Sequence, residues 1–436
     1  MVLVRRLAVL GFVLLGGCSE SLFGAHHGGP GDGGGGGDGG DVPIACPDVC
    51  IADAAANFNG TATGTNGTWR YLEDQRNHKW NPMTGTTVMT GSVQGNQITK
   101  CTAGSTAPAC RALPDALLVS TAGSQSAADP AIEFTAPANQ VLQLSLHALV
   151  PDGAAPQTIR LYRNSREDVL FTGTAAAGAT LGRTITLDAL KGDRFLVAVA
   201  PPGNGTTGVA LQLFVNAPAG TTFPSTCQLA LPFESMSGSS TTVDPCRGET
   251  FTSLDPGGMI TMVLANGPFM EQGQAVKLPQ EGYVKDPKAA LDYSGDVTVQ
   301  FWFLLQQFAS VNPAWIFSDR DPALWGGLGI LLIPGSSPTI QASAGDPKSA
   351  SFTEISGPYL GVGSWQFVRV VRSRGTLSLC LQGARLAASS TSTENLMSQQ
   401  GVLMGLGTDP TDPGVFEGQF DDVRVITGAL PCDPSP

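Results

Sequence analysis

The chain has 436 residues and a formal net charge of -12, and only 14% of its residues are charged, against about a quarter in an ordinary globular domain. Phosphate binding needs clustered Lys and Arg, which this acidic chain does not show, so nucleic acid is excluded as a partner. With 55 Gly and 31 Pro and frequent Thr and Ser, the composition predicts an all-β chain, long enough for two cores and a linker.

At the N-terminus, Arg5 and Arg6 precede an apolar run from Leu7 to Leu15, followed by Gly16-Gly17-Cys18. That order predicts a signal peptide over residues 1–17. The apolar run is too short for a permanent membrane span, which takes about 20 residues. Leu15-Gly16-Gly17-Cys18 resembles the lipobox of bacterial lipoproteins. The resemblance implies that Cys18 carries a lipid, that the membrane is a partner through that lipid, and that the protein belongs to a bacterial cell envelope. Ser19 in place of Asp favours the outer membrane in that family's sorting logic. An ordinary signal would instead leave an unpaired thiol at the new terminus.

Residues 18–45 form a linker, with 11 glycines between Gly24 and Asp41 and nothing apolar enough to seed a core. As a random coil from Cys18 to Cys46 it spans about 30 Å. His26 and His27 within it read as solvated side chains rather than metal ligands. Besides Cys18 there are eight cysteines, Cys46, Cys50, Cys101, Cys110, Cys227, Cys246, Cys380 and Cys432. An even number in an exported chain predicts disulfides. Zinc is disfavoured, because Cys46 and Cys50 have three residues between them and no partner Cys-x-x-Cys or His pair.

Residues 46–112 read as a small β segment stapled by two disulfides, with candidate strands at Thr86 to Met89 and Gln97 to Lys100. Asn59-Gly, Asn66-Gly and Asn204-Gly read as tight turns rather than glycosylation sites. Residues 113–218 alternate as half-buried strands. Leu142, Leu144 and Leu146 oppose Gln143, Ser145 and His147, and Phe195, Val197 and Val199 alternate likewise, as do Val209, Leu211, Leu213 and Val215. Ile159 to Arg163 adds another strand, and the set predicts a β-sandwich. The stretch Leu187-Asp-Ala-Leu-Lys-Gly-Asp-Arg-Phe-Leu-Val-Ala-Val resembles the penultimate strands of small jelly rolls appended to secreted bacterial peptidases.

Residues 226–436 hold, in order, Leu231-Pro-Phe-Glu234, Gly273 to Leu278, Gly295-Asp-Val-Thr-Val-Gln-Phe-Trp-Phe303 and Trp315-Ile-Phe-Ser-Asp319. They continue with Gly363 to Val371, Leu377-Ser-Leu-Cys-Leu-Gln-Gly383 and Phe416-Glu-Gly-Gln-Phe-Asp-Asp-Val-Arg-Val425. That succession resembles the laminin-G-like (concanavalin-A-like) jelly roll. Val297, Val299, Phe301 and Phe303 make one apolar face, as do Leu377, Leu379 and Leu381, which leaves Cys380 on the opposite face within reach of Cys432. A Cys380–Cys432 bridge is therefore expected first and Cys227–Cys246, flanking the entrance to the domain, second.

The sequence offers little chemistry. A retaining glycosidase needs two carboxyls about 5 Å apart. The glutamates Glu234, Glu281, Glu354, Glu394 and Glu417 are scattered singly, and the neighbours Asp421 and Asp422 are expected on opposite faces of their strand, as a core feature of the resembled fold. Gly-x-Ser-x-Gly, Gly-x-x-x-x-Gly-Lys, His-Glu-x-x-His and the EF-hand loop are absent, and His78 and His147 read as surface residues. Laminin-G-like domains often hold calcium, and Asp319-Arg320-Asp321 is the one local acidic cluster placed for it, although a solvated loop is the favoured reading. Trp302 and Trp325 are candidates for stacking on sugar, with core packing the favoured alternative. No cofactor, metal or catalytic residue is expected. The expected function is a membrane-anchored, non-catalytic envelope protein whose laminin-G-like sandwich binds a glycan or surface protein through its rim loops. The alternatives are a glycan-degrading enzyme or its accessory subunit, and a purely structural envelope component.

Overall fold

In a computed structural model, the described residues run from 50 to 432, except 60–68, 75–79, 93–94, 123–127, 201–206, 235–240, 255–259, 265–272, 280–281, 287–290, 309–312, 320–326, 347–350, 390–395, 397–400 and 406–415. The expectations for Cys18, His26, His27, Cys46, Asn66, His78, Asn204, Arg320, Asp321 and Trp325 lie outside them. Pro43–Pro436 form one unit.

The described chain is nearly all strand and makes four antiparallel sheets, two to each sandwich. Of the first pair, one sheet has the order Thr180–Ala189, Gln140–Leu149, Thr207–Asn216, Leu117–Thr121, Gln97–Lys100 and Val88–Thr90, with Cys50–Asp53 added to Thr207–Asn216. Its mate has the order Ser165–Ala175, Gln157–Arg163, Arg194–Ala200, Asp129–Thr135, Trp69–Asp74 and Trp80–Pro82. The apolar positions Leu142, Leu144, Leu146, Phe195, Val197, Val199, Leu211 and Leu213 meet in the core between them, as their period of two dictates.

Residues 46–112 are not a separate segment, contrary to the sequence expectation. Their strands extend both sheets, Trp69–Asp74 beside Asp129–Thr135 and Gln97–Lys100 beside Leu117–Thr121. Strands this short bury too little surface to hold a core alone, so Trp69, Tyr71, Met89 and Ile98 join the core of the longer strands. Two bridges fasten this region: Cys101 pairs with Cys110 across the short helix Pro108–Ala112, and Cys50 is also disulfide-bonded.

In the second sandwich one sheet runs Thr261–Leu264, Gln274–Leu278, Phe416–Thr427, Val297–Phe308, Trp365–Ser373, Thr376–Leu381 and Ala384–Ser389, with Cys227–Leu231 also paired to Phe416–Thr427. The facing sheet runs Thr241–Val243, Thr250–Leu254, Tyr283–Asp286, Val402–Met404, Ala314–Ser318, Gly327–Ile333, Thr339–Asp346 and Ser351–Pro358. Val297, Val299, Phe301, Phe303, Leu377, Leu379 and Leu381 fill the core. The two-residue turn Arg374-Gly375, with φ of 48° and 76°, closes one of its hairpins in the left-handed geometry that matches strand twist. Cys380 bridges to Cys432 and Cys227 to Cys246, with Cα atoms 6.0 and 5.8 Å apart. Trp302 sits on the outer face, 2% exposed against Trp365 and Phe367, and so is packed rather than open to a sugar.

Buried charge joins the sandwiches. Asp168 of the first takes Arg163 Nε at 2.7 Å and Gln300 Nε2 at 2.9 Å, and it also accepts from Arg369 Nη2. Arg369 further donates to Gln300 Oε1 at 3.0 Å, to the Val169 carbonyl at 3.0 Å and to the Pro431 carbonyl. Burial opposes ionisation of Asp168, but Arg163 and Arg369 outweigh it and hold the carboxyl below its ordinary value. Asp188 clasps the linker by accepting the backbone N–H groups of Ser225, Thr226 and Cys227.

Candidate functional site

A second contact between the sandwiches stays open and encloses a cleft of about 630 Å³, within the usual range of ligand pockets, about 300–1,000 Å³. Each wall follows from a local feature of the sequence. The first wall is the Lys191-Gly192 turn. Gly192 adopts φ of 94°, which favours a residue without a side chain, while Asp193 accepts the Leu190 N–H at 2.9 Å and so pins the turn. Lys191 N–H donates to Asn139 Oδ1 at 2.8 Å. Asn164, a hairpin residue with φ of 60°, lies alongside and accepts the Arg194 N–H at 2.8 Å.

The second wall is a β-bulge in the last strand. Gln300 faces Arg424 and Trp302 faces Asp421, so Phe301 alone opposes both Asp422 and Val423. Asp422 takes φ of 46°, a left-handed conformation that Asp tolerates better than most residues. The extra residue switches the alternation. Phe416 and Phe420 point into the core before it and Val423 and Val425 after it, so Asp421 and Asp422 emerge on the same outer face. The expectation that these two aspartates diverge therefore fails, because it assumed an unbroken period of two. The signal was present in the sequence as the shift of apolar residues from even to odd positions between Phe420 and Val423.

The neighbouring strand Cys227–Leu231, with Leu231 opposite Val423, brings Glu234 to the same cleft. Glutamates that are scattered in sequence are thus not all scattered in space. The remaining lining among the described residues is Pro232, Val243 and Pro245, none of them aromatic.

The charges divide into committed and uncommitted groups. Arg424 donates to Asp193 at 2.9 and 2.6 Å and to Asp422 at 2.6 Å, and Asn164 Nδ2 reaches Asp193 at 3.1 Å and Asp422 at 3.3 Å. Burial works against ionising Asp193, yet Arg424 holds its carboxyl below the ordinary value. Arg194 is paired away from the cleft, to Glu133 at 2.9 Å. Asp421 is the exception. It is 4% exposed, and one oxygen accepts the Asp422 N–H at 2.8 Å, while no donor among the described residues reaches the other. Burial first, then the like charges of Asp422 and Glu234, push its carboxyl well above the ordinary range. Glu234 is raised as well, by partial burial against the counter-effect of the Gln274 N–H, with Asp422 adding to the rise.

Other expected sites resolve differently. Asp319 is fully buried, accepting from the Tyr293 hydroxyl and from the Leu328 N–H at 2.6 Å, and is a structural residue. Among the described residues no three His, Cys, Asp or Glu side chains are grouped to hold a metal ion. His147 is half-buried on its strand, opposite Gly182 and Gln212.

A model of the family described as the concanavalin A-like lectin/glucanases superfamily matches residues 278–433. Over those residues the C-terminal sandwich, a pair of antiparallel sheets, is similar to that family. No curated protein matches the chain. Among solved structures, domain 4 of AbnA, a GH43 extracellular arabinanase from Geobacillus stearothermophilus in complex with arabinotriose, is 17% identical. The match covers 47% of this chain and 93% of that one, with a TM-score of 0.35. The CBM40 of the Ruminococcus gnavus IT-sialidase bound to alpha2,3 sialyllactose is 12% identical over 36% of this chain and 92% of that one, with a TM-score of 0.29. A heptameric SAP-like pentraxin from Limulus polyphemus is 20% identical over 34% and 70%, with a TM-score of 0.25. Likenesses of this strength carry no argument about what this chain binds.

Proposed function

We propose that this protein is a lipid-anchored, non-catalytic component of a bacterial cell envelope that binds a glycan in the cleft between its sandwiches. The observation that carries the reading is the cleft itself. Its polar groups, Asn164, Asp421, Asp422 and Glu234, stand on strands and turns whose partners hold them in place, as oriented hydrogen bonding to sugar hydroxyls requires. The site thus moves from the rim loops to the seam, with the laminin-G-like sandwich supplying one wall. The anchor is Cys18, and Cys18→Ser is expected to shift the protein from the membrane fraction to the soluble fraction.

The direct test is a glycan array probed with the full chain, with and without calcium, beside Val243→Trp, which fills the cleft from its exposed rim. Saturable binding that Val243→Trp weakens at least about tenfold supports the reading. Binding that Val243→Trp leaves unchanged removes the cleft from it.

One observation favours hydrolysis as a second reading. A buried carboxyl raised above its ordinary range beside other carboxylates is the arrangement of a general acid. Polysaccharide cleavage that falls at least about a hundredfold in Asp421→Asn, and not in Asp319→Asn, would establish that reading in place of the first.

A further inference from the structure

The geometry points to a protonated amine on the ligand, seated between Glu234 and the open oxygen of Asp421, and so to an amino sugar as the glycan recognised. This rests on the cleft being the binding site. Among the described residues, the charged groups that line the cleft beside Asp421 divide as follows. Asp422 and Asp193 are held by Arg424, whose Nε and both Nη atoms are committed to them, and Arg194 is committed to Glu133. Lys191 stands exposed at the first wall's turn. Among the described residues, the groups left for a ligand are therefore the Glu234 carboxylate, which takes the Gln274 N–H, and the Asp421 oxygen that no donor reaches.

The lining chooses among sugars by charge. The described lining offers a pyranose no aromatic ring to stack on, so affinity there comes from hydrogen bonds and Coulomb attraction. A carboxylated sugar meets two further acids there, a neutral sugar only hydrogen-bonds them, and an ammonium relieves their mutual repulsion. Burial first, and the like charges of Asp422 and Glu234 next, raise the Asp421 carboxyl, and an inserted cation opposes the second of these.

The test is calorimetry on the full chain with two tetramers of one backbone, β-1,4-linked glucosamine with its amines protonated and its N-acetylated counterpart. The glucosamine tetramer is expected to bind about tenfold or more tighter, with the preference shrinking as salt is added. Glu234→Gln and Asp421→Asn each reduce the preference to within about threefold; Glu234 lies at the exposed mouth, so its variant keeps the fold. Equal binding of the tetramers, or tighter binding of the acetylated one, overturns the amine while leaving the cleft reading in place. No binding of either tetramer, with a silent array, overturns both.

Discussion

The two places where the sandwiches meet use the same residue types to opposite ends. At Arg369 every charge is matched. Asp168 has two guanidiniums and a glutamine amide, and the remaining donors of Arg369 end on carbonyls. At Arg424 the guanidinium is matched equally well, but the bulge beside it adds one carboxyl more than the arginine can satisfy. The first arrangement fixes geometry. The second uses that fixed geometry to hold an acid against a cavity, and the difference amounts to one residue inserted in a strand.

The comparison breaks most visibly at the closed contact. Arg369→Ala leaves Asp168 buried with a partner lost, and a destabilisation of about 3–5 kcal/mol is expected in urea unfolding. Replacing both by leucine should not recover it, because Arg163 then loses Asp168 and stays buried without its carboxylate. Next, Cys380→Ser with Cys432→Ser releases the segment whose Pro431 carbonyl Arg369 grips, at an expected loss of about 2–4 kcal/mol.

The pH profile separates the two kinds of acid. Asp244, fully buried behind the cleft rim with one oxygen accepting the Ala230 and Cys246 N–H groups, is pushed by burial up to about 6. A raised carboxyl binds its proton more tightly when folded, so the stability it adds is complete below about pH 4 and lost as pH rises through about 6. Asp168 and Asp193 are depressed and act in the reverse sense, adding stability above about pH 4 that is lost on further acidification. Asp244→Asn should therefore flatten the decline between about pH 4 and 6 by roughly 1–2 kcal/mol and leave the acid limb unchanged, as read from unfolding midpoints across pH. The smallest effect is expected at Asp421→Asn. An amide keeps the shape of a carboxyl whose charged form burial disfavours, so stability is expected to change by less than about 1 kcal/mol while binding responds.

How much of this the sequence showed depended on periodicity. Val297–Phe308 was legible because its odd positions are apolar and face a single core. Trp69–Asp74 was not, because the charged Glu73 and Asp74 are themselves buried, Glu73 accepting from Ser92 and Asn96, and Asp74 pairing with Arg166. Pairing that hides a carboxylate leaves no mark in composition. The cleft was illegible for a related reason. Its acids come from the entry and exit strands of one sandwich, its clamps from a turn of the other, and their convergence depends on one left-handed aspartate. Only the parity shift between Phe420 and Val423 hinted at it.

The clasp of Asp188 on the linker also governs rate. Asp188 holds three backbone N–H groups between the sandwiches and Asp168 holds Arg369 across them, so a ligand of the proposed cleft is expected to enter without prior rearrangement of its walls. Association is then a single encounter, with an observed rate that climbs linearly with ligand concentration in stopped flow. For the proposed glycan ligands, discrimination is then expected to rest on how long each one stays.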